Sequence, residues 1–163
     1  MNISGQFTRE SPGLEASITE QAFKRIWDYF GPFQWDIMAT KANVNKNLEG
    51  RPLSFFSRYY DEESKGVDVF KQQLCFCQEM FCFPPVPLIS RILKYLEVQK
   101  VSCVMVLPKT WAPWSNLMNQ YKLASFELAP AFNSTCFTVT HPTGRRVPKK
   151  FPFIMEVVYL SFE

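Results

Sequence analysis

Val101-Ser102-Cys103-Val104-Met105-Val106-Leu107-Pro108 reads as a buried strand stopped by proline. Apolar residues occupy both parities of the run, so both faces of the strand must be covered, which is the habit of a parallel sheet. Just before it, Leu88, Ile89, Ile92, Leu93 and Leu96 recur at helical spacing, and Pro87 suits a first turn. Upstream of that helix, residues 80–83 form a second short apolar run closed by Pro84 and Pro85. Strand, helix and strand in this order predict a parallel β-α-β unit.

The same reading extends outward. Ser17 and Glu20 have capping-box spacing, and Ile18, Ala22, Phe23, Ile26, Trp27 and Phe30 follow as an apolar stripe that Gly31 and Pro32 end. Residues 33–37 suit a buried strand, residues 40–50 a polar loop, residues 54–60 a strand or an edge segment and residues 61–66 a charged turn. Residues 111–121 predict a short helix, and residues 123–128, 135–140 and 153–162 predict strands. The expected fold is α/β, a sheet with β-α repeats first and an antiparallel edge at the end. Residues 1–16 read as a flexible leader and residues 17–163 as one domain.

Composition bounds the function. With 163 residues the chain can bury a sizeable core, and 47% hydrophobic against 20% charged residues excludes general disorder. Sixteen Phe residues demand a core or an interface that hides rings. A net charge of +3 permits attraction to nucleic acid without demanding it. No apolar run approaches the roughly 20 residues of a membrane helix, and the polar start lacks an apolar signal core. The expected location is therefore the nucleus or cytoplasm, with no membrane partner. Five Cys residues, an odd number, read as reduced thiols. Cys75, Cys77 and Cys82 lack the matched second pair of a zinc site, so no metal is expected. His141 is the only histidine, and beside Pro142 it reads as a turn residue rather than a catalytic base.

Ligands of open α/β sheets bind at the carboxyl ends of the parallel strands. Three segments fall there: Asp36-Ile37-Met38-Ala39-Thr40-Lys41-Ala42-Asn43, Gly66-Val67-Asp68-Val69-Phe70 and Phe81-Cys82-Phe83-Pro84-Pro85-Val86-Pro87. A carboxylate after the first strand suits a cofactor's ribose or amino group. Asp36 equally suits loop amides, and Asp68 the N-cap of a short helix. None of the segments has the glycine spacing of a phosphate cradle.

These segments, with Phe30-Gly31-Pro32, Trp35, Tyr59, Leu88-Ile89, Val104-Met105-Val106-Leu107-Pro108 and Trp111-Ala112-Pro113-Trp114, resemble the phage-type DNA N6-adenine methyltransferase (Dam) family. The chain is still more similar to the methyltransferase-like domain that follows RNase H in DIRS-type retrotransposon polyproteins, over about residues 18–163. The resemblance implies a Rossmann-like S-adenosylmethionine-dependent methyltransferase fold, a mixed sheet closed by a C-terminal antiparallel hairpin. It implies S-adenosylmethionine as cofactor, with Asp36, Ala39, Asn43 and Asp68 at its site. The acceptor would be an adenine amine swung out of its stack. In the family an Asn-Pro-Pro-Tyr or Asp-Pro-Pro-Tyr loop accepts from that amine and stacks on the base.

Here the loop is Phe83-Pro84-Pro85-Val86. Phe83 cannot accept a hydrogen bond and Val86 cannot stack. A lost preorganised polar group of this kind typically costs on the order of 10²–10³ in rate. The chain therefore reads as a catalytically degenerate member that acts as a nucleic-acid or protein binding module of mobile-element origin. The alternative is an active S-adenosylmethionine-dependent adenine methyltransferase. Arg145, Arg146, Lys149 and Lys150, with Lys41 and Lys46, are the candidate nucleic-acid surface, or else a solvated hairpin tip. Trp111, Pro113 and Trp114 are candidates for a partner patch or else cover the sheet edge, and the sparsely charged residues 75–89 are candidates for a protein interface.

Overall fold

A computed structural model of the chain describes residues 16–163. The leader read over residues 1–16 lies outside the described residues but for Ala16. The element order is β1 (Ser17–Ile18), α1 (Glu20–Phe30), β2 (Trp35–Asp36), β3 (Ser54–Ser57), β4 (Gly66–Val67), β5 (Met80–Cys82), α2 (Ile89–Gln99), β6 (Ser102–Pro108), α3 (Ser115–Tyr121), β7 (Lys122–Ala129), β8 (Phe137–Thr140), β9 (Arg146–Pro148) and β10 (Met155–Ser161).

Seven strands form one sheet in the order β4-β3-β2-β5-β6-β10-β7. The first five are parallel, and β10 runs antiparallel to both β6 and β7. Numbered by appearance, the parallel strands lie 3-2-1-4-5, so the chain order reverses between β2 and β5. That is the order of the first five strands of a Rossmann-like sheet, and the reversal marks the ligand crevice of such folds. The expected antiparallel edge is corrected in one respect. The antiparallel strand sits one place inside the sheet, and the outermost strand β7 runs with β6. The β7–β10 pair is antiparallel as expected, but residues 130–154 separate its strands. That excursion holds β8 and β9, which join β1 in a separate sheet of order β1-β8-β9.

The sheet is covered on both faces. On one, Ile89, Ile92, Leu93 and Leu96 of α2 pack with Cys82, Cys103, Met105, Leu107, Val158 and Leu160. On the other, Phe23 and Ile26 of α1 pack with Phe81, Val104, Val106, Val157 and Phe137. Alternate residues of β6 thus serve opposite layers, which is why its run is apolar throughout.

Several boundaries differ from expectation. Ser17 does not cap α1, because Ser17 and Ile18 are paired to Thr138 and Phe137 in β1. Thr19 is the cap, and its Oγ1 accepts from the Ala22 N–H at 3.4 Å. At the other end the Gly31 N–H donates to the Trp27 carbonyl at 2.7 Å. A Cβ on Gly31 would lie 2.6 Å from that same oxygen, so the stop requires glycine. α3 starts at Ser115 rather than at residue 111. The Ser115 Oγ accepts from the Ala112 N–H at 2.8 Å and turns the chain first. Residues 86–88 form a separate 3-10 turn ahead of α2.

Candidate functional site at the strand-order reversal

In open α/β sheets the crevice at such a reversal takes the ligand. Asp36, Ala39 and Asn43 lie on β2 and the loop after it and Phe83, Pro84, Pro85 and Val86 follow β5, whereas Asp68 follows β4, two strands away. β2 leads into Ile37, whose N–H donates to the Phe81 carbonyl at 3.0 Å, and then Ala39, whose N–H donates to the Phe56 carbonyl at 3.2 Å. Ala39 is buried. The chain then turns through a reciprocal pair. The Thr40 N–H donates to Asn43 Oδ1 at 2.7 Å, and the Asn43 N–H donates to Thr40 Oγ1 at 3.2 Å. Asn43 therefore shapes the loop that follows β2.

Asp36 retains 1% of its exposure. Its Oδ2 accepts from the Asn45 N–H at 3.0 Å and from Asn45 Nδ2 at 2.9 Å. Burial pushes its carboxyl up to about 7, although both Asn45 hydrogen bonds act the other way. Asn45 was not singled out in the sequence, and the signal for it is slight: an amide in a polar loop, nine residues downstream of a buried acid. Asp68 has φ 67, and its Oδ1 accepts from the Phe70 N–H at 3.0 Å, so it caps the 3-10 turn over Val69–Lys71.

At the end of β5, Phe83 faces the α1 side of the sheet. Its ring centroid lies 5.4 Å from that of Phe137 and 6.4 Å from that of Phe151. Phe137 and Phe151 meet edge to face at 5.0 Å, and Phe153 stacks on Phe151 at 5.8 Å. Four rings thus pack in one corner, beginning at the residue that precedes the twin prolines. The Pro85 carbonyl accepts from the Leu88 N–H at 2.9 Å, inside the following turn. Pro84 is buried, and Val86 is 42% exposed at the start of that turn.

Arg145, Arg146, Lys149 and Lys150 are exposed on and beside β9. Arg146 holds this hairpin to the crevice. Its Nη1 donates to Thr138 Oγ1 and its Nη2 to the Ala42 carbonyl, each at 3.0 Å. Lys149 Nζ lies 5.4 Å from the Phe151 ring centroid. Lys41 is exposed and pairs with Glu63 at 3.5 Å, and Lys46 is exposed in the same loop. The small sheet therefore brings the late cations toward the carboxyl end of β2.

The remaining candidates separate. His141 is exposed, and its Nδ1 lies 3.0 Å from Thr143 Oγ1 within the hairpin turn. Cys77, Cys82, Cys103 and Cys136 are buried free thiols, whereas Cys75 is exposed. Burial pushes the Cys77, Cys82 and Cys103 thiols up, away from the reactive thiolate. Among the described residues no group of three His, Cys, Asp or Glu side chains is placed to hold a metal. Trp111 and Trp114 do not form one patch: Trp111 is 83% exposed, whereas Trp114 packs on the α2 layer. In the 75–89 stretch Phe81 is internal and Phe76 is exposed. No helix among the described residues is long and apolar enough to cross a membrane. No protein-family model matches the chain, and no curated protein matches it either.

Proposed function

We propose that this chain is an adenine-methyltransferase-like domain of mobile-element origin, degenerate in its catalytic loop, that acts as a nucleic-acid binding module. The single observation that carries this reading is the ring cluster around Phe83. Where the resembled loop would present an amide or carboxylate to an adenine amine, this chain presents a phenyl ring wedged against Phe137 and Phe151. The 3-2-1-4-5 strand order and the closing antiparallel strand β10 support the resemblance on the side of the fold.

The cofactor side fits S-adenosylmethionine poorly. The acid expected after the first strand is turned inward to Asn45, and Asp68 and Asn43 are engaged by their own loops. Nucleic acid is placed ahead of a protein partner because the four late cations are exposed, while Phe81 and Phe83 of the apolar stretch face inward.

The experiment is a calorimetric titration with S-adenosylmethionine, a label-transfer assay on adenine-containing DNA and RNA, and gel retardation. The expected result is retardation without label transfer. Micromolar cofactor binding followed by transfer to adenine would replace this reading with the active enzyme. If Arg145, Arg146, Lys149 and Lys150 each neutralise one phosphate, log affinity for duplex DNA falls against log salt with a slope of about −3.6. Reversing all four to Glu should abolish retardation, and retardation that survives would remove this surface from the account.

Phe83→Asn tests the loop directly. Opening the Phe83–Phe137–Phe151 cluster should cost roughly 2–4 kcal/mol in denaturant unfolding, somewhat under a fully buried Phe truncation because Phe83 is half-buried. Label transfer should stay absent, since Val86 still offers no ring to stack on the base. Transfer restored by this one substitution would show that the rest of the site is intact.

A further inference from the structure

Two acids are buried among the described residues, Asp36 and Glu156. Asp36 has Asn45, but no hydrogen bond reaches the Glu156 carboxylate from the described residues, although Glu156 retains only 5% of its exposure. The register explains its position. Glu156, Val158 and Leu160 alternate onto the α2 face of β10, and Glu156 stands opposite Leu107 and Glu127 just past the apolar cover. There it lines a cleft of about 540 Å³ between the segment after β6, α3 and β7. That volume lies within the roughly 300–1,000 Å³ usual for small-ligand sites.

The other walls carry complementary groups. Trp111 lines the cleft with its ring 83% exposed. The Asn119 amide and Lys122 also line it. Lys109 is already matched, its Nζ lying 2.9 Å from Glu127 Oε1. The Ser115 hydroxyl is engaged with Ala112 and Thr110. What remains toward a ligand is a carboxylate that opens only into the cleft, an amide, a flat aromatic face and a rim cation.

A carboxylate with both oxygens unmet accepts best from two parallel N–H donors. An isolated ammonium or guanidinium would meet the acceptor but would face Lys109 and Lys122 as well. Among the bases, guanine alone offers N1–H and N2–H₂ side by side. Adenine and cytosine pair one amino group with a ring acceptor, and uracil lacks the amine. We propose that this cleft binds a guanine base, stacked on Trp111, with its donor edge on Glu156 and its phosphate toward Lys122.

The probe is GMP, titrated by calorimetry against UMP and IMP on the full chain. GMP should bind at least tenfold tighter than UMP, with IMP between them. Trp111→Ala, at an exposed site that does not threaten folding, should weaken GMP by roughly 5- to 150-fold. Glu156→Gln keeps the shape of the side chain and should erase the GMP preference. An all-thymine oligonucleotide and the same strand with one guanine separate two sources of the base. With the four late cations reversed, tighter binding of the guanine strand than of the all-thymine strand assigns the site to single strands, and equal binding of the two strands beside retained GMP binding assigns it to the free nucleotide. No GMP binding at millimolar concentration, equal affinity for GMP and UMP, or a preference that survives Glu156→Gln overturns the proposal. Reversing the four late cations should leave GMP binding unchanged, so this site and the hairpin surface stand or fall separately.

Discussion

At pH 8 the Asp36→Asn variant should unfold at higher denaturant than the native chain, and below pH 4 the two should coincide. The cause is the position of the Asp36 carboxyl, pushed up by burial from 3.8 to about 7. In the unfolded chain this group has released its proton by about pH 5, while in the folded chain it still holds it. Between those values the folded state binds more protons, so stability falls as pH rises and levels off above about 7. A shift of about three units corresponds to roughly 4 kcal/mol between the two limits. Asparagine keeps an oxygen for the two Asn45 donors and has no charge to bury. A net advantage of about 4 kcal/mol at pH 8 is therefore expected. The check is a series of denaturant midpoints from pH 4 to 8 for both proteins, since other titrating groups cancel in the difference. A variant that keeps the native slope would remove Asp36 as its source.

Phe81→Ala should be the most destabilising truncation on the α1 face, by about 3–5 kcal/mol. Phe81 is fully buried in β5, with ring centroids 5.1 Å from Phe23 and 5.6 Å from Phe33. It joins α1 to the centre of the sheet, so the cavity would open where two layers meet and neither can collapse into it. For a chain of this size the thermal midpoint should drop by roughly 6–20 °C. Phe76→Ala is the control: at 78% exposure its ring covers little, and a change within about 0.5 kcal/mol is expected. Similar losses at both positions would mean that Phe81 is not the link between the layers.

The parts of the fold legible in the sequence were those with a strong local period. α2 and β6 carry their burial pattern in consecutive residues, so both could be read within a few positions. β1 and β9 could not. They are two and three residues long, and β1 exists only because Phe137 and Thr138 come to meet it from more than a hundred residues away. The place of β10 was hidden for a related reason, because a strand's own pattern does not say which neighbours it will separate. At the site, Asp36 and Phe83 were visible as chemistry, but their surroundings were not. Asn45 is an ordinary loop amide until Asp36 turns toward it, and a count of sixteen Phe does not say which four will share one corner. Glu156 was missed outright, because a single acid inside an apolar strand pattern looks like an outward-facing position.

The insertion of β10 between β6 and β7 also sets the sequence of assembly. While the chain is being made, β7 leaves the ribosome well before the residues that will become its neighbour. It has to wait beside an unfinished array, its backbone amides paired with water. Once Met155–Ser161 slides into the gap, two open borders close in a single event. A polypeptide stopped short of Met155 would keep both borders bare and would be prone to stick to its own kind.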